Sequence, residues 1–181
     1  MSLTHLAVVA LGIVVVLWLL GAYNRLVAMR NAIHQAWAKV QEALDQRGPT
    51  VPPLVAALRE PMAAEQGALD AWLAAQSQAA LVASAMRSQP LAEARALAWV
   101  AAEAALAAAA SRVLALLEQQ ADLQQLAEVA ALADGWREGQ ARLPFVRQVF
   151  NEAASGYNAA VAVFPTHLVA RAFGLGRVGL V

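Results

Sequence analysis

Residues Leu6 to Ala22 read LAVVALGIVVVLWLLGA and carry no charge. With Leu3 added, the stretch approaches the ~20 residues that carry a helix across ~30 Å of hydrocarbon. Two other readings compete. A cleaved signal peptide wants a basic leader and a shorter apolar core, but only Met-Ser-Leu-Thr-His precedes this run. A buried core helix is seldom apolar on every face for five turns. The run therefore predicts a membrane anchor over residues 1–22, with the lipid bilayer as partner. Arg25, Arg30 and Lys39 follow it before the first acid, Glu42. Positive charge stays on the cytoplasmic side, so the N-terminus is expected outside and the remaining chain inside. Trp18 and Tyr23 suit the interface.

Beyond the anchor the chain is built for helices. It holds 46 alanines among 181 residues, and isoleucine and threonine together number five. Strong helix formers dominate and β-branched residues are scarce, which disfavours a sheet. No breaker lies between Gly21 and Gly48, so the span should run on as one rod over about residues 4–47, roughly 65 Å long with ~37 Å clear of the bilayer. Gly48-Pro49-Thr50 predicts a turn. Pro52 and Pro53 suit the first turn of a second helix, expected to reach Met86 with a kink at Pro61. Ser88-Gln89-Pro90 breaks the chain again. A third helix over Leu91–Gln120 carries the stripe Leu97, Val100, Leu106, Val113 and Leu117. Asp122-Leu-Gln-Gln125 resembles a capping box opening a fourth helix, which reaches about Val163 and is weakened by Gly135, Gly139 and Pro144. A short helix over Thr166–Phe173 and a glycine-rich tail complete the chain. Each long segment holds one tryptophan: Trp18, Trp37, Trp72, Trp99 and Trp136. These are read as core. The expected architecture is all-α, an N-terminal transmembrane helix continuous with an antiparallel up-down four-helix bundle. Its divisions are 1–22 anchor, 23–165 bundle and 166–181 membrane-proximal helix and tail.

The only asparagines are Asn24, Asn31, Asn151 and Asn158, two pairs each seven residues apart. Seven residues are two helical turns, so each pair shares a face. One antiparallel register sets Asn24 against Asn158, Asn31 against Asn151 and Arg30 opposite Glu152. Tyr23 and Tyr157 each precede an asparagine, and Arg147 falls within a turn. These nine residues are expected to form a polar seam fixing the register, as a buried Asn does in a coiled coil. Solvent-exposed asparagines with coincidental spacing are the alternative. The same register brings Phe164-Pro165 to the level of Trp18. Leu168, Val169, Phe173 and Leu175 would then enter the headgroup region while Arg171 and Arg177 meet anionic lipid, unless the terminus is simply frayed.

The run from Tyr23-Asn24 through Leu26-Val27, Arg30-Asn31 and Ala36-Trp37 resembles the opening signature of the LemA family of bacterial membrane-anchored proteins, YNxLVxxRNxVxxAW. Leu44, Arg47, Val51-Pro52, Leu54-Val55 and Glu65 resemble its next block. Arg142-Leu143, Arg147, Phe150-Asn151, Tyr157-Asn158, Phe164-Pro165, Val169-Ala170 and Phe173-Gly174 are similar to its closing block. Pro49, Pro53, Ala64, Gln120-Ala121 and Pro144 depart from the family pattern. The resemblance implies an anchored, antiparallel helical bundle. Relatives occur in magnetosome membrane systems and beside HtpX-like membrane metalloproteases, and the family brings no catalytic residues to this chain.

No chemistry is legible beside this. There is no cysteine, and His5, His34 and His167 stand on separate segments outside any HExxH context. No phosphate-binding loop appears, so no catalytic residue, metal or cofactor is expected. Net charge is zero, without the basic excess of a nucleic-acid binder. The charge is nonetheless divided. Residues 1–59 and 135–181 each hold five bases and two acids, while residues 60–134 hold three bases and nine acids. A basic face meeting the acidic face of another copy would be a heterologous contact. The reading is a non-enzymatic membrane scaffold acting by self-association as a homo-oligomer. The alternative is an adaptor or sensor for another membrane protein, such as an HtpX-like protease.

Overall fold

The computed structural model describes residues 3–181, so the first two residues of the expected anchor lie outside the described residues. Helix α1 runs unbroken over Leu3–Arg47. It is long and apolar enough to cross a membrane, with mean hydropathy 2.6 in its most apolar window. Its apolar outer half packs on nothing: Val8 is 70% exposed, Leu11 64% and Val14 61%. From Leu26 onward one side of the same helix turns into core, with Leu26, Ile33, Trp37, Val40 and Leu44 buried. Their spacing of three, four and seven residues keeps them on one stripe.

The expected turn at Gly48–Thr50 is instead a 3-10 segment, and helix α2, Val51–Leu58, follows directly. The tighter winding accommodates Pro49, whose ring clashes with a regular α-helical backbone. The Thr50 hydroxyl donates to the Arg47 carbonyl at 2.7 Å. Pro52 and Pro53 sit at the start of α2, where missing donors cost least. The chain reverses at Pro61, not by a kink but by a full break between Leu58 and a 3-10 turn over Ala63–Glu65. There the Gln66 amide donates to the Arg59 carbonyl at 2.6 Å, and Arg59 pairs with Asp70 at 2.7 Å.

Helix α3 spans Gln66–Ser88 and α4 spans Glu93–Glu118. They pack along their lengths. Helix α4 also passes a length-and-apolarity test for a span, at mean hydropathy 1.7. Its alanine content explains that value, and its core stripe packs inside the domain. That stripe is Ala96, Trp99, Glu103, Leu106, Ala110, Val113 and Leu117. Leu97 of the expected stripe is 63% exposed, because the alternating three-four spacing through Trp99 turns it outward.

The expected capping box at Asp122 forms no cap. A single turn, α5 over Ala121–Gln124, precedes α6 over Ala127–Ala162. The Gln124 amide reaches back to the Leu117 and Glu118 carbonyls at 3.3 and 2.9 Å, which draws the chain into this turn first. Helix α6 passes through Pro144 without a break. It lies along α1: Gly156 faces Met29, Phe150 meets Trp37, and Gly139 meets Arg47. Helix α7, Thr166–Ala172, and the segment after it complete the core with Val169, Ala170, Leu175, Val178 and Val181.

The core divides into two apolar blocks. In the block nearer the span, Trp37 meets Trp99 edge to face at 5.4 Å and Phe150 at 5.9 Å. In the far block Trp72 meets Trp136 at 5.4 Å. Such pairs each add about 0.5–1.5 kcal/mol beyond area burial. The four tryptophans outside the span are all buried, as expected.

Candidate functional site

Between the two apolar blocks lies a polar layer to which each long helix contributes one residue on its core stripe: Arg47, Gln76, Glu103 and Gln140. Arg47 is 2% exposed and Glu103 6%. The guanidinium grips the carboxylate with two parallel bonds, Nη1 to Oε2 and Nη2 to Oε1, both 2.8 Å. Nη1 also donates to Gln140 Oε1 at 2.7 Å. The Arg47 guanidinium carbon stands 4.9 Å from the centre of the Trp136 ring. Charge pairs this deep hold together only with good geometry and satisfied neighbours. The bidentate fork supplies the geometry and Gln140 one polar neighbour, while Arg47 Nε and Gln76 Oε1 are buried without a hydrogen-bond partner.

This approach depends on Gly139. A Cβ there would fall 2.8 Å from Arg47 Cβ and 3.2 Å from its Cα. The glycine that weakens α6 as a helix former is what lets α6 reach α1 at the polar layer. Gly139→Ala gains about 0.5–1 kcal/mol in helix propensity. It loses about 1–3 kcal/mol to overpacking against a helix backbone. The expected net is destabilisation with weakened Arg47–Glu103 pairing, read by denaturant unfolding. A more stable variant would contradict this packing.

Beside the layer is a cavity of about 360 Å³, lined in part by Arg47, Glu103, Gln76, Gln41 and the small side chains Ala79 and Ala83. Arg87 and Asp45 stand at its rim, 3.9 Å apart. It combines one buried ion pair and two amides with a largely apolar remainder that includes Leu44, Ala79 and Ala83. Among the described residues no group of three or more His, Asp or Glu is placed to hold a metal ion.

The expected polar seam does not form across α1 and α6. Asn24 and Asn31 are exposed, because Leu26 and Ile33 set the core side of α1 and the asparagines lie half a turn away. The observed register is about one turn off the expected one. Arg30 lies near Tyr157, not opposite Glu152, which is exposed and accepts a bond from Gln148 at 2.8 Å. Arg147 covers the Trp99 ring at 5.3 Å. Tyr23 meets Phe173, ring centres 4.8 Å apart.

The other asparagine pair has a different use. Asn158 exchanges two hydrogen bonds with the backbone of Val178, both 2.8 Å. Asn151 does the same with Val181 at 2.6 and 2.8 Å. The tail is therefore folded along α6. For the same reason Val169 and Leu175, expected among headgroups, are buried at 1% and 7%. Leu168 at 51% and Phe173 at 59% remain exposed, with Arg171 beside them. Val163 and Phe164, 60% and 72% exposed, widen this apolar patch. The Tyr23 contact places Phe173 at the end of the apolar run nearer the core.

Burial pushes the Tyr157 hydroxyl above its usual value of 10.0, and the Arg30 cation partly offsets this. The folded chain thus holds the phenolic proton more tightly than the unfolded chain. That contribution is fully present below about pH 10 and is lost as pH rises through the raised folded value. Melting temperature is expected to fall with rising pH above 10, and Tyr157→Phe to make that fall shallower. An unchanged alkaline slope in the variant would contradict it.

Three of the layer's members, Gln76, Glu103 and Gln140, escaped sequence reasoning. Glu103 is the one carboxylate away from the ends of an alanine-rich helix, on the stripe through Trp99 and Leu106. Gln140 holds the equivalent place between Trp136 and Leu143. A polar residue on an otherwise apolar stripe was the available signal.

A family model described as the LemA family matches residues 36–179. No curated protein matches the chain.

Proposed function

Because the chain belongs to the LemA family, we propose that it is a non-enzymatic, membrane-anchored scaffold that acts by self-association at the bacterial inner membrane. In this reading residues 1–22 span the bilayer with the N-terminus outside. The four long helical pieces form an antiparallel up-down bundle on the cytoplasmic side. The carrying observation is that one helix, α1, carries both the apolar run and, from Leu26 onward, a stripe of the core. With no linker, the orientation of the span becomes the orientation of the domain. Copies sharing a membrane then present the same faces at the same height.

Two further features support the reading. The patch of Leu168 and Phe173, joined by Val163 and Phe164, meets the inner membrane surface, with Arg171 toward anionic headgroups. Residues 1–59 and 135–181 each carry three more bases than acids and residues 60–134 six more acids than bases, so oppositely charged segments of neighbouring copies can attract. A second reading, an adaptor or sensor for another membrane protein such as an HtpX-like protease, draws on the cavity beside Arg47. A domain that only tethers copies has no need of it.

Two differently tagged full-length chains, expressed together, test the first reading. Purification through one tag should retrieve the other from detergent-solubilised membranes. Retrieval of the tagged chain without its sister contradicts self-association and leaves the adaptor.

A further inference from the structure

Arg47 uses only part of its guanidinium within the chain. The group carries five N–H donors in a fixed plane. Nη1 gives its two hydrogens to Glu103 and Gln140, and Nη2 gives one to Glu103. Nε has no partner. Nε–H and the second Nη2 hydrogen lie parallel along one edge, the edge that grips a carboxylate side-on. Trp136 covers the guanidinium and Gln140 takes the Nη1 side, both from α6. The spare edge is on the opposite side from Nη1. The cavity of about 360 Å³ lies there, walled by α1, the 3-10 segment after it, α3 and Glu103 of α4.

The unmet polar atoms gather at this cavity. Among the described residues six buried side-chain nitrogens and oxygens have no hydrogen-bond partner. Three are indole nitrogens. The other three, Gln41 Oε1, Arg47 Nε and Gln76 Oε1, all belong to residues of the cavity wall. Buried polar atoms are normally satisfied, so three on one wall mark a place for an occupant that satisfies them. The Gln41 amide is oriented by Asp45, whose carboxylate accepts from Nε2 at 2.8 Å. An ionised carboxylate only accepts, so the Gln41 oxygen is the end left over. The wall therefore asks for a carboxylate at the Arg47 edge and for N–H donors at the two amide oxygens.

Charge and shape narrow the occupant further. The charged residues of the wall are Arg47, Arg87, Asp45 and Glu103, two of each sign. An occupant of one net charge would unbalance them at a desolvated site, and a zwitterion would not. Leu44, Ala79 and Ala83 are buried and give the wall an apolar side. The volume falls near the lower end of the range for small-molecule sites.

We propose that this cavity binds a free α-amino acid with an aliphatic side chain. Its carboxylate meets the side edge of Arg47, with Arg87 at the mouth. Its ammonium donates to the Gln41 and Gln76 oxygens. Its side chain lies on Leu44, Ala79 and Ala83. Water alone would satisfy the polar atoms and leave those apolar side chains wetted. The site does not depend on self-association, and either inference can fail without the other.

Calorimetric titration of the full-length protein in mild detergent tests it. The probes are L-leucine, L-valine, leucinamide, which lacks the carboxylate, and isocaproate, which lacks the amine. Leucine or valine is expected to bind saturably at one site per chain. Each truncated analogue should bind about tenfold more weakly or worse, because a charge-assisted hydrogen bond is lost. Gln41→Leu keeps the side-chain size and removes one acceptor, and should weaken binding of the amino acid about tenfold. Arg47→Met with Glu103→Leu removes the fork and should abolish binding; if that variant does not fold, Gln41→Leu decides. No saturable binding of leucine or valine means a cavity filled by water and overturns the proposal. Equal binding of either truncated analogue overturns it as well. So does amino-acid binding that Gln41→Leu leaves unchanged.

Discussion

Replacing Glu103 by alanine is expected to cost the helical domain about 3–5 kcal/mol, because it leaves the Arg47 cation buried without its partner. This is a large share of the roughly 5–15 kcal/mol that holds a domain of this kind together. Arg47→Ala strands the Glu103 carboxylate and costs a similar amount. It also removes the bond to Gln140 and the cation over Trp136. The paired change to Arg47→Met and Glu103→Leu is different in kind. No charge is left unpaired, the volumes are nearly kept, and such replacements are often neutral or stabilising. Denaturant unfolding in mild detergent should rank the double variant above either single one. Single variants within about 1 kcal/mol of wild type would mean that the polar layer is hydrated, not sealed. The layer's contribution is then specificity. One polar residue on each of four stripes can meet the others in only one mutual register, as a buried polar residue does in a coiled coil.

Deleting residues 1–21 is expected to move the protein from the membrane fraction to the soluble fraction while leaving its melting temperature nearly unchanged. The deleted residues contribute no buried side chain among those described; the core begins at Leu26. What they contribute is a column of apolar surface, with Leu6, Leu11, Val14 and Leu17 all more than 60% exposed. Burying side chains of this size is worth about 1.5–3 kcal/mol each, so the span outweighs any other membrane contact the chain makes. The patch of Phe164, Leu168 and Phe173 is too small to hold the domain at the bilayer alone. Fractionation together with thermal melts of the truncated chain checks both halves. Persistent membrane binding would give that patch a larger role. Loss of the fold would mean that α1 needs its outer half to hold the inner half in register.

What could be read from the chain alone depended on whether the signal was local. The long apolar run, the unbroken α1 and the break at Ser88–Pro90 were legible because each is written in contiguous residues. Gly48-Pro49-Thr50 carries the marks of a turn, yet a 3-10 segment lets the rod continue to Leu58. Whether such a segment bends or reverses depends on Gln140 and Trp136 closing on Arg47 from α6. Asn151 and Asn158 were correctly singled out and given the wrong partners, while Asn24 and Asn31 face solvent. A search for polar residues matching polar residues cannot see that a backbone will serve. It is the glycine-rich tail, with few side chains to mark it, that supplies that backbone. The true polar layer was hidden for the opposite reason. Arg47, Gln76, Glu103 and Gln140 are scattered over 94 residues and share only a level in the folded domain.

Self-association is the central claim, and the mass of the full-length protein in mild detergent, measured by light scattering at two salt concentrations, tests it most directly. A defined oligomer is expected at low salt. Its size should fall as salt rises, because attraction between oppositely charged segments of neighbouring copies is screened beyond about 10 Å at 0.1 M. A monomer at both salt concentrations would contradict the claim and leave an anchored helical domain whose partner is another protein.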